Sequence, residues 1–134
     1  MTAKIIYNGE LRTTSTHIQS GTIVETDAPV DNQGKGERFS PTDLVASALG
    51  SCMMTIMGIA ARTHGINIDG SSCEIIKIMT PSPRRIGEIQ VTMLMKGQNV
   101  YAEKERAILE HAALTCPVYL SLNTDLKKTV NFHW

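Results

Sequence analysis

The segment 44–61 constrains the fold most, because it is the longest apolar stretch of the chain. Apolar or small side chains recur in it every four residues, at Leu44, Ala48, Cys52, Ile56 and Ala60. This spacing places them on one face of an α-helix. Further apolar residues lie beside that face, and many of them are small. We therefore predict a central helix that is buried on most of its sides.

The ends of this helix are marked by local signals. Ser40 can cap its N-terminus, Pro41 suits the first helical position, and Asp43 complements the positive end of the helix dipole. His64-Gly65 is a typical stop. Serine, threonine and glycine interrupt the apolar segment too often for a membrane-spanning helix, so we expect no membrane partner.

Strand-forming residues fill the regions before and after the helix. Asn8-Gly9 and Ser20-Gly21 are turn signals between the first predicted strands. The predicted strands are 4–7, 11–18, 22–27, 67–80, 84–96 and 126–134, and a second helix is predicted over 102–115, with a short helix over 118–122. The order βββ-α-ββ-α-β predicts an α+β fold, with helices packed on antiparallel sheet.

Length and charge narrow the class of protein further. A chain of 134 residues suits a single domain over 1–134. Its 13 basic and 13 acidic residues cancel and form no basic run, so we expect no nucleic-acid partner. The chain carries three cysteines and begins with no long apolar stretch, which does not suggest a secreted disulfide scaffold. A cytoplasmic protein is the expectation.

The three cysteines stand in different surroundings. Cys52 lies on the apolar stripe, where a cysteine is either a small buried hydrophobic residue or a reactive thiol. Cys116 directly precedes Pro117 at a helix break, and a thiol at a helix cap has a lowered pKa. For Cys116 the residues alone leave the structural and the functional interpretation open. Cys73 lies on a predicted strand with no supporting residues, which favours a structural role.

Other kinds of site find little support in the sequence. Cys-x-x-Cys is absent, and the four histidines are scattered, so the spacing of His64 and His111 does not recommend a metal site. Gly34-Lys35-Gly36 lacks the context of a phosphate-binding loop. We expect no metal and no organic cofactor.

Two segments resemble the signatures of one family. Residues 39–53, FSPTDLVASALGSCM, are similar to the first signature of the OsmC/Ohr family: a proline, an acidic residue, a helix of small residues and a reactive cysteine. Cys116-Pro117-Val118 resembles the second signature. The chain length and the order of elements resemble the family from end to end.

The resemblance implies an intertwined homodimer that reduces peroxides, often organic hydroperoxides. Cys52 would be the attacking thiolate and Cys116 the resolving thiol. An arginine, Arg38 by preference and otherwise Arg12, would stand beside Cys52. Asp43 would hold that arginine, although the family prefers glutamate at this position. An external thiol would then reduce the Cys52–Cys116 disulfide.

The chemistry of these residue types agrees with that role. A thiol of pKa ~8.5 is only slightly ionised at neutral pH, and the helix dipole has faded at Cys52, so the thiolate needs a nearby cation. Two other interpretations stay open at this point. One is a non-catalytic dimer that binds a small ligand, and the other is a structural or metal-storing protein.

Overall fold

The structure is a computed structural model that describes residues 1–96 and 101–134. Its strands are β1 Ala3–Gly9, β2 Arg12–His17, β3 Ile23–Asp27, β4 Ser72–Pro81, β5 Arg84–Leu94 and β6 Lys127–His133. Its helices are α1 Pro41–His64, α2 Glu103–Leu114 and the short α3 Pro117–Ser121, with a 3-10 turn at Val30–Asn32. The predicted α+β class and the predicted order of elements are confirmed.

The chain divides into two compact units, Met1–Val45 and Ala46–Trp134, called unit 1 and unit 2 below. Helix α1 begins in unit 1 and continues into unit 2. The single domain over 1–134 stays a prediction.

Unit 1 is an antiparallel meander in which β2 pairs with both β1 and β3. Gly9 pairs with Arg12, so the turn between β1 and β2 consists of Glu10 and Leu11. Both turn residues have positive φ, 52° and 59°, as a type I′ hairpin turn requires. The Asn8-Gly9 signal therefore predicted a turn two residues too early, because two residues that rarely adopt the left-handed conformation adopt it here.

Unit 2 contains a sheet in the order β4-β5-β6. β4 pairs antiparallel to β5, but β6 pairs parallel to β5, with Val91 opposite Ile75 on one side and Val130 on the other. The prediction of purely antiparallel sheet was wrong for this pair. The chain between β5 and β6 contains α2 and α3, and a helical crossover of this kind can return a strand in the same direction.

The core of unit 2 lies where α1 meets this sheet. Every described residue in the core cluster belongs to unit 2, and most of its fully buried side chains come from α1 (Leu49, Met53, Met57), β5 (Ile89, Val91, Met93) and α2 (Leu109, Ala113). Only one face of α1 is buried within a single chain, since Ile59 is 56% exposed. By length and composition alone α1 could cross a membrane, a test that the core helices of soluble proteins also pass.

Strand β4 begins five residues later than predicted. Residues 67–71 form turns instead: the Asn67 side chain accepts the Asp69 N–H at 2.8 Å, and Ile68 O accepts the Ser71 N–H at 3.0 Å. Gly70 has φ +81°. An asparagine that bonds its own backbone two residues on competes with strand formation, which explains the late start of β4.

Candidate thiol site

Cys116 caps helix α3. Its backbone is extended (φ −65°, ψ 148°), Pro117 follows at the first helical position, and the Tyr119 N–H donates to Cys116 Sγ at 3.4 Å. A helix leaves its first N–H groups without internal partners, and here a sulfur atom accepts one of them. The predicted cap position of Cys116 is confirmed. Its side chain is also fully buried, at 0% exposure.

Cys52 lies in the middle of α1 and is half-buried beside the core of unit 2. Its thiol lies close enough to the thiol of Cys116 to raise the pKa of Cys116. Two cysteines that are 64 positions apart in the sequence are therefore neighbours in unit 2. All three cysteines of the chain are free thiols in this structure.

Burial raises the pKa of the Cys116 thiol above its usual value. The Tyr119 N–H lowers that pKa, and the neighbouring Cys52 thiol raises it again, with a net upward shift. The cap position alone would favour a thiolate, but desolvation outweighs it because a charged sulfur is unfavourable in an apolar surrounding. Cys116 is thus suited to remain a protonated thiol beside Cys52.

Cys73 lies on β4 and faces α1 at Gly50. A Cβ on Gly50 would lie 3.0 Å from Cys73 Sγ and 2.7 Å from the Ile75 side chain, so the glycine permits close packing of the helix on the strand. Burial raises the pKa of Cys73. These surroundings agree with the structural role that the sequence favoured.

Asp43 belongs to the start of α1 in unit 1. Its carboxylate accepts the Ser40 N–H at 2.8 Å, and Ser40 Oγ accepts the Asp43 N–H at 3.1 Å. This reciprocal pair is a capping box. The capping function of Ser40 is confirmed, and the predicted hold of Asp43 on an arginine stays a prediction.

Arg38, the preferred arginine, lies in the loop before α1. Its Nε donates to Glu25 at 2.9 Å and its Nη1 donates to the backbone oxygen of Glu37 at 3.0 Å. The side chain is 46% exposed. Arg38 therefore has acidic and backbone partners within unit 1, on β3 and in its own loop.

Arg12, the second choice, is held more firmly. It donates to both carboxylate oxygens of Asp27, at 2.7 and 2.8 Å, and to Glu37 at 2.9 Å. Asp27 is 1% exposed and also accepts the Glu37 N–H at 3.1 Å. The Arg12 guanidinium holds the pKa of Asp27 below its usual value, and the two carboxylates raise the pKa of Arg12. We call Arg12, Asp27 and Glu37 the ion cluster of unit 1.

The family model for the OsmC-like protein matches residues 34–131, which include Arg38, Asp43, Cys52 and Cys116. The chain belongs to the OsmC-like protein family. The resemblance that was inferred from two short segments is thereby confirmed. None of the curated proteins matches the sequence.

Solved structures extend the match beyond those residues. A Psychrobacter arcticus protein, provisionally assigned to osmotic stress induction and detoxification response, is 46% identical, with a TM-score of 0.94 over 99% of this chain and 96% of its own. An OsmC-like protein from Mycoplasma pneumoniae has 18% identity and a TM-score of 0.77, covering 98% and 94%. An organic hydroperoxide resistance protein OsmC from Legionella pneumophila has 15% identity and a TM-score of 0.71, covering 98% and 95%. The last two show the fold alone.

The four predicted residues of this OsmC-like site divide between the two units. Cys52 and Cys116 belong to unit 2, where their thiols meet, and Arg38 and Asp43 belong to unit 1. The complete four-residue site stays a prediction.

Sequence reasoning missed the acidic partners of the two arginines. Arg12 and Asp27 lie directly opposite each other in the β2–β3 register, so the pairing of those strands could have indicated the ion pair. The pairing of Arg38 with Glu25 joins a loop to a strand and carries no local signal.

An open cavity of about 390 Å³ lies at the C-terminal end of α1, apart from the thiols. Its lining includes Thr55, Gly58, Ile59, Arg62, Ile66 and Asp69. Among residues 1–96 and 101–134, no three histidine, cysteine or acidic side chains are grouped as a metal site requires.

Proposed function

We propose that this OsmC-like chain is a thiol-dependent peroxidase that reduces hydroperoxides, organic ones by preference, through Cys52 and Cys116. The observation that carries the proposal is the proximity of these two thiols, one half-buried and the other fully buried. Two cysteines in contact form a disulfide without a large movement of the backbone. Two of the structural relatives, from Legionella pneumophila and Vibrio cholerae, are named for organic hydroperoxide resistance.

The exposure of Cys52 and the raised pKa of Cys116 support Cys52 as the attacking sulfur. Cys52 is half-buried, so a peroxide can reach it from outside the core, whereas Cys116 has no exposed surface. Burial also keeps Cys116 protonated. The nucleophile in such a reaction is the thiolate, which disfavours Cys116 as the first to react.

The first step transfers one oxygen atom. The Cys52 thiolate attacks an oxygen of the peroxide, the O–O bond breaks, and the leaving alkoxide takes a proton to become an alcohol. Cys52 is left as a sulfenic acid. Arg38, held by Asp43, would stabilise the thiolate and the departing oxygen by charge-assisted hydrogen bonds.

The second step forms the disulfide. Cys116 attacks the sulfenic sulfur of Cys52, the S–O bond breaks, and water leaves with the Cys116 proton. Two molecules of an external thiol then reduce the Cys52–Cys116 bond by exchange and become a disulfide themselves. The proposal needs no metal and no organic cofactor, and it places the protein in the cytoplasm, where such thiols are abundant.

A direct experiment measures both steps. Reduced protein is mixed with cumene hydroperoxide or with hydrogen peroxide, and peroxide loss and protein mass are followed. We expect faster consumption of the organic peroxide and a mass loss of two hydrogens, with peptide mapping to Cys52–Cys116. Intact thiols after several equivalents of either peroxide would refute the proposal.

A pair of variants tests the arginine. Arg38→Ala should slow the oxidation of Cys52 and move its pH profile upward, because the thiolate fraction falls when a neighbouring cation is lost. Arg12→Ala is the matched control. If Arg12→Ala shifts the pH profile while Arg38→Ala leaves it unchanged, the cation of the site is Arg12.

A non-catalytic dimer that binds a small ligand is the second candidate function. Two observations favour it: both arginines already have carboxylate partners, and unit 2 contains the 390 Å³ cavity, a volume in the range of small-molecule sites. Peroxide treatment discriminates between the two functions, since a binding protein would not consume peroxide catalytically in the presence of dithiothreitol.

A further inference from the structure

The sulfur of Cys116 has two partners in the reduced protein. It accepts the Tyr119 N–H at the start of α3, and it has the thiol of Cys52 on α1 as a neighbour. The Val118 N–H is also directed to this residue. One atom therefore belongs both to the redox pair and to the cap of a helix.

Helix α3 is short and only half-buried. It has five residues, Pro117 contributes no N–H, and the side chains of Val118 and Tyr119 pack against the core without being fully buried. Lys128 also lies 5.1 Å from the centre of the Tyr119 ring. At its two caps the Leu120 N–H donates to Cys116 O and the Leu122 N–H donates to Val118 O, both at 3.1 Å. Such a short helix is not stable by itself, so its cap matters.

We propose that forming the Cys52–Cys116 disulfide removes the sulfur cap from α3 and loosens residues 117–122. The inference rests on the proposed function for its physiological meaning, because a loosened α3 would assist reduction of the disulfide by the external thiol. In the reduced state the Cys116 sulfur is completely buried, and thiol exchange requires access to a sulfur. Loosening of α3 would expose the Cys116 sulfur to the external thiol, in addition to the half-buried Cys52.

Cys116 is the side chain expected to move. A covalent S–S bond holds two sulfurs much closer than two free thiols can lie, so at least one of them must shift. Cys52 lies inside a helix, where one of the three χ1 rotamers is strongly disfavoured. Cys116 is fully buried, but its extended backbone at the helix cap lies outside the helical turns that exclude this rotamer.

Amide hydrogen exchange measured by NMR tests this directly. The protein is oxidised with diamide, which takes two electrons and two protons from the thiol pair as the S–S bond forms, and is compared with the reduced protein. We expect the Tyr119, Leu120 and Leu122 amides to exchange at least about twofold faster after oxidation, and up to about thirtyfold, the range for losing an N-cap. Core amides of β5 should not change.

Two variants serve as controls. Cys116→Ser keeps an acceptor at the cap but forms no disulfide, so diamide should leave its α3 exchange unchanged. Cys73→Ser keeps the pair and should respond as the wild type does. A response in Cys116→Ser would mean that α3 loosens for another reason, and the proposal would be wrong.

The outcomes separate this inference from the proposed function. If the disulfide forms but exchange over residues 119–122 is unchanged, the inference alone is overturned. If diamide forms no Cys52–Cys116 disulfide, both are overturned. If the disulfide forms and α3 loosens while no peroxide is consumed, the inference stands and the peroxidase function is refuted.

Discussion

The two units of the chain bury different kinds of side chain. In unit 1 the buried side chains among the described residues are Thr26, Asp27 and Ser40, all polar, while its apolar ones lie exposed on the meander: Ile5, Ile6, Tyr7, Leu11, Ile18, Ile23 and Val24. In unit 2 the buried side chains come mainly from leucine, isoleucine, valine, methionine and alanine, gathered between α1 and the β4-β5-β6 sheet.

This difference identifies what stabilises each unit. Burial of apolar surface is the main driving force of folding, at about 25 cal/mol per Å², and unit 2 has a core that supplies it. Unit 1 relies within one chain on backbone pairing and on the ion cluster of Arg12, Asp27 and Glu37. A unit of 45 residues that leaves its isoleucines exposed has little apolar burial to stabilise it alone. Its exposed face is therefore where we expect a second chain to pack.

The largest effect should come from the reactive pair in unit 2. Cys52→Ser should lower the rate of peroxide consumption by roughly a hundredfold or more, because a serine hydroxyl does not ionise as a thiol does. Cys116→Ser should still react once and accumulate a sulfenic acid on Cys52, detected by a sulfenic-acid probe and mass spectrometry. Rapid oxidation of Cys116 in Cys52→Ser would reverse the two roles.

The core of unit 2 should be sensitive to truncation. Met53→Ala removes a fully buried side chain, and such a change costs about 2–5 kcal/mol. Ile59→Ala on the exposed side of the same helix is the matched control and should change the free energy of unfolding by about 0.5 kcal/mol or less. Urea unfolding measures both, and an equal loss in the two variants would show that α1 is covered on both sides.

The exposed sheet of unit 1 should carry the dimer contact. We expect sedimentation to show a homodimer at micromolar concentration. Ile5→Lys combined with Ile23→Lys should shift it toward monomer, since burying two charges without partners is unfavourable. Glu10→Lys at the hairpin turn controls for the change of charge. A wild-type protein that sediments as a stable monomer contradicts this prediction.

The ion cluster makes the stability of unit 1 depend on pH. The pKa of Asp27 is lowered by Arg12 in the folded state, so its contribution to stability is present above the unfolded pKa of about 4 and is lost as the pH falls through the folded pKa. Asp27→Asn should lower the Tm at neutral pH, and its difference from wild type should shrink below about pH 4. A constant difference across pH would exclude the ion pair as the cause.

The smallest effect should come from Cys73. Cys73→Ser should keep peroxide consumption close to wild type, because its thiol packs against Gly50 and takes no part in the redox pair. The initial rate with cumene hydroperoxide measures this. A loss as large as that of Cys52→Ser would show that the wrong cysteines have been paired.

Local signals allowed much of the fold to be predicted. The bounds of α1 follow from Ser40, Pro41 and His64-Gly65, because caps and stops act on the nearest turn of backbone. The cap position of Cys116 follows in the same way from Pro117. The turn at Glu10–Leu11 was misplaced because its residues give no left-handed signal.

The sequence by itself determined the order of elements, the long helix and the two cysteine signatures, because each depends on residues close together along the chain. Only the tertiary structure decided that β6 runs parallel to β5, that Asp27 and Glu37 hold Arg12, and that the thiols of Cys52 and Cys116 meet. Those contacts join distant segments. They are set by strand register and core packing, which no local sequence signal predicts.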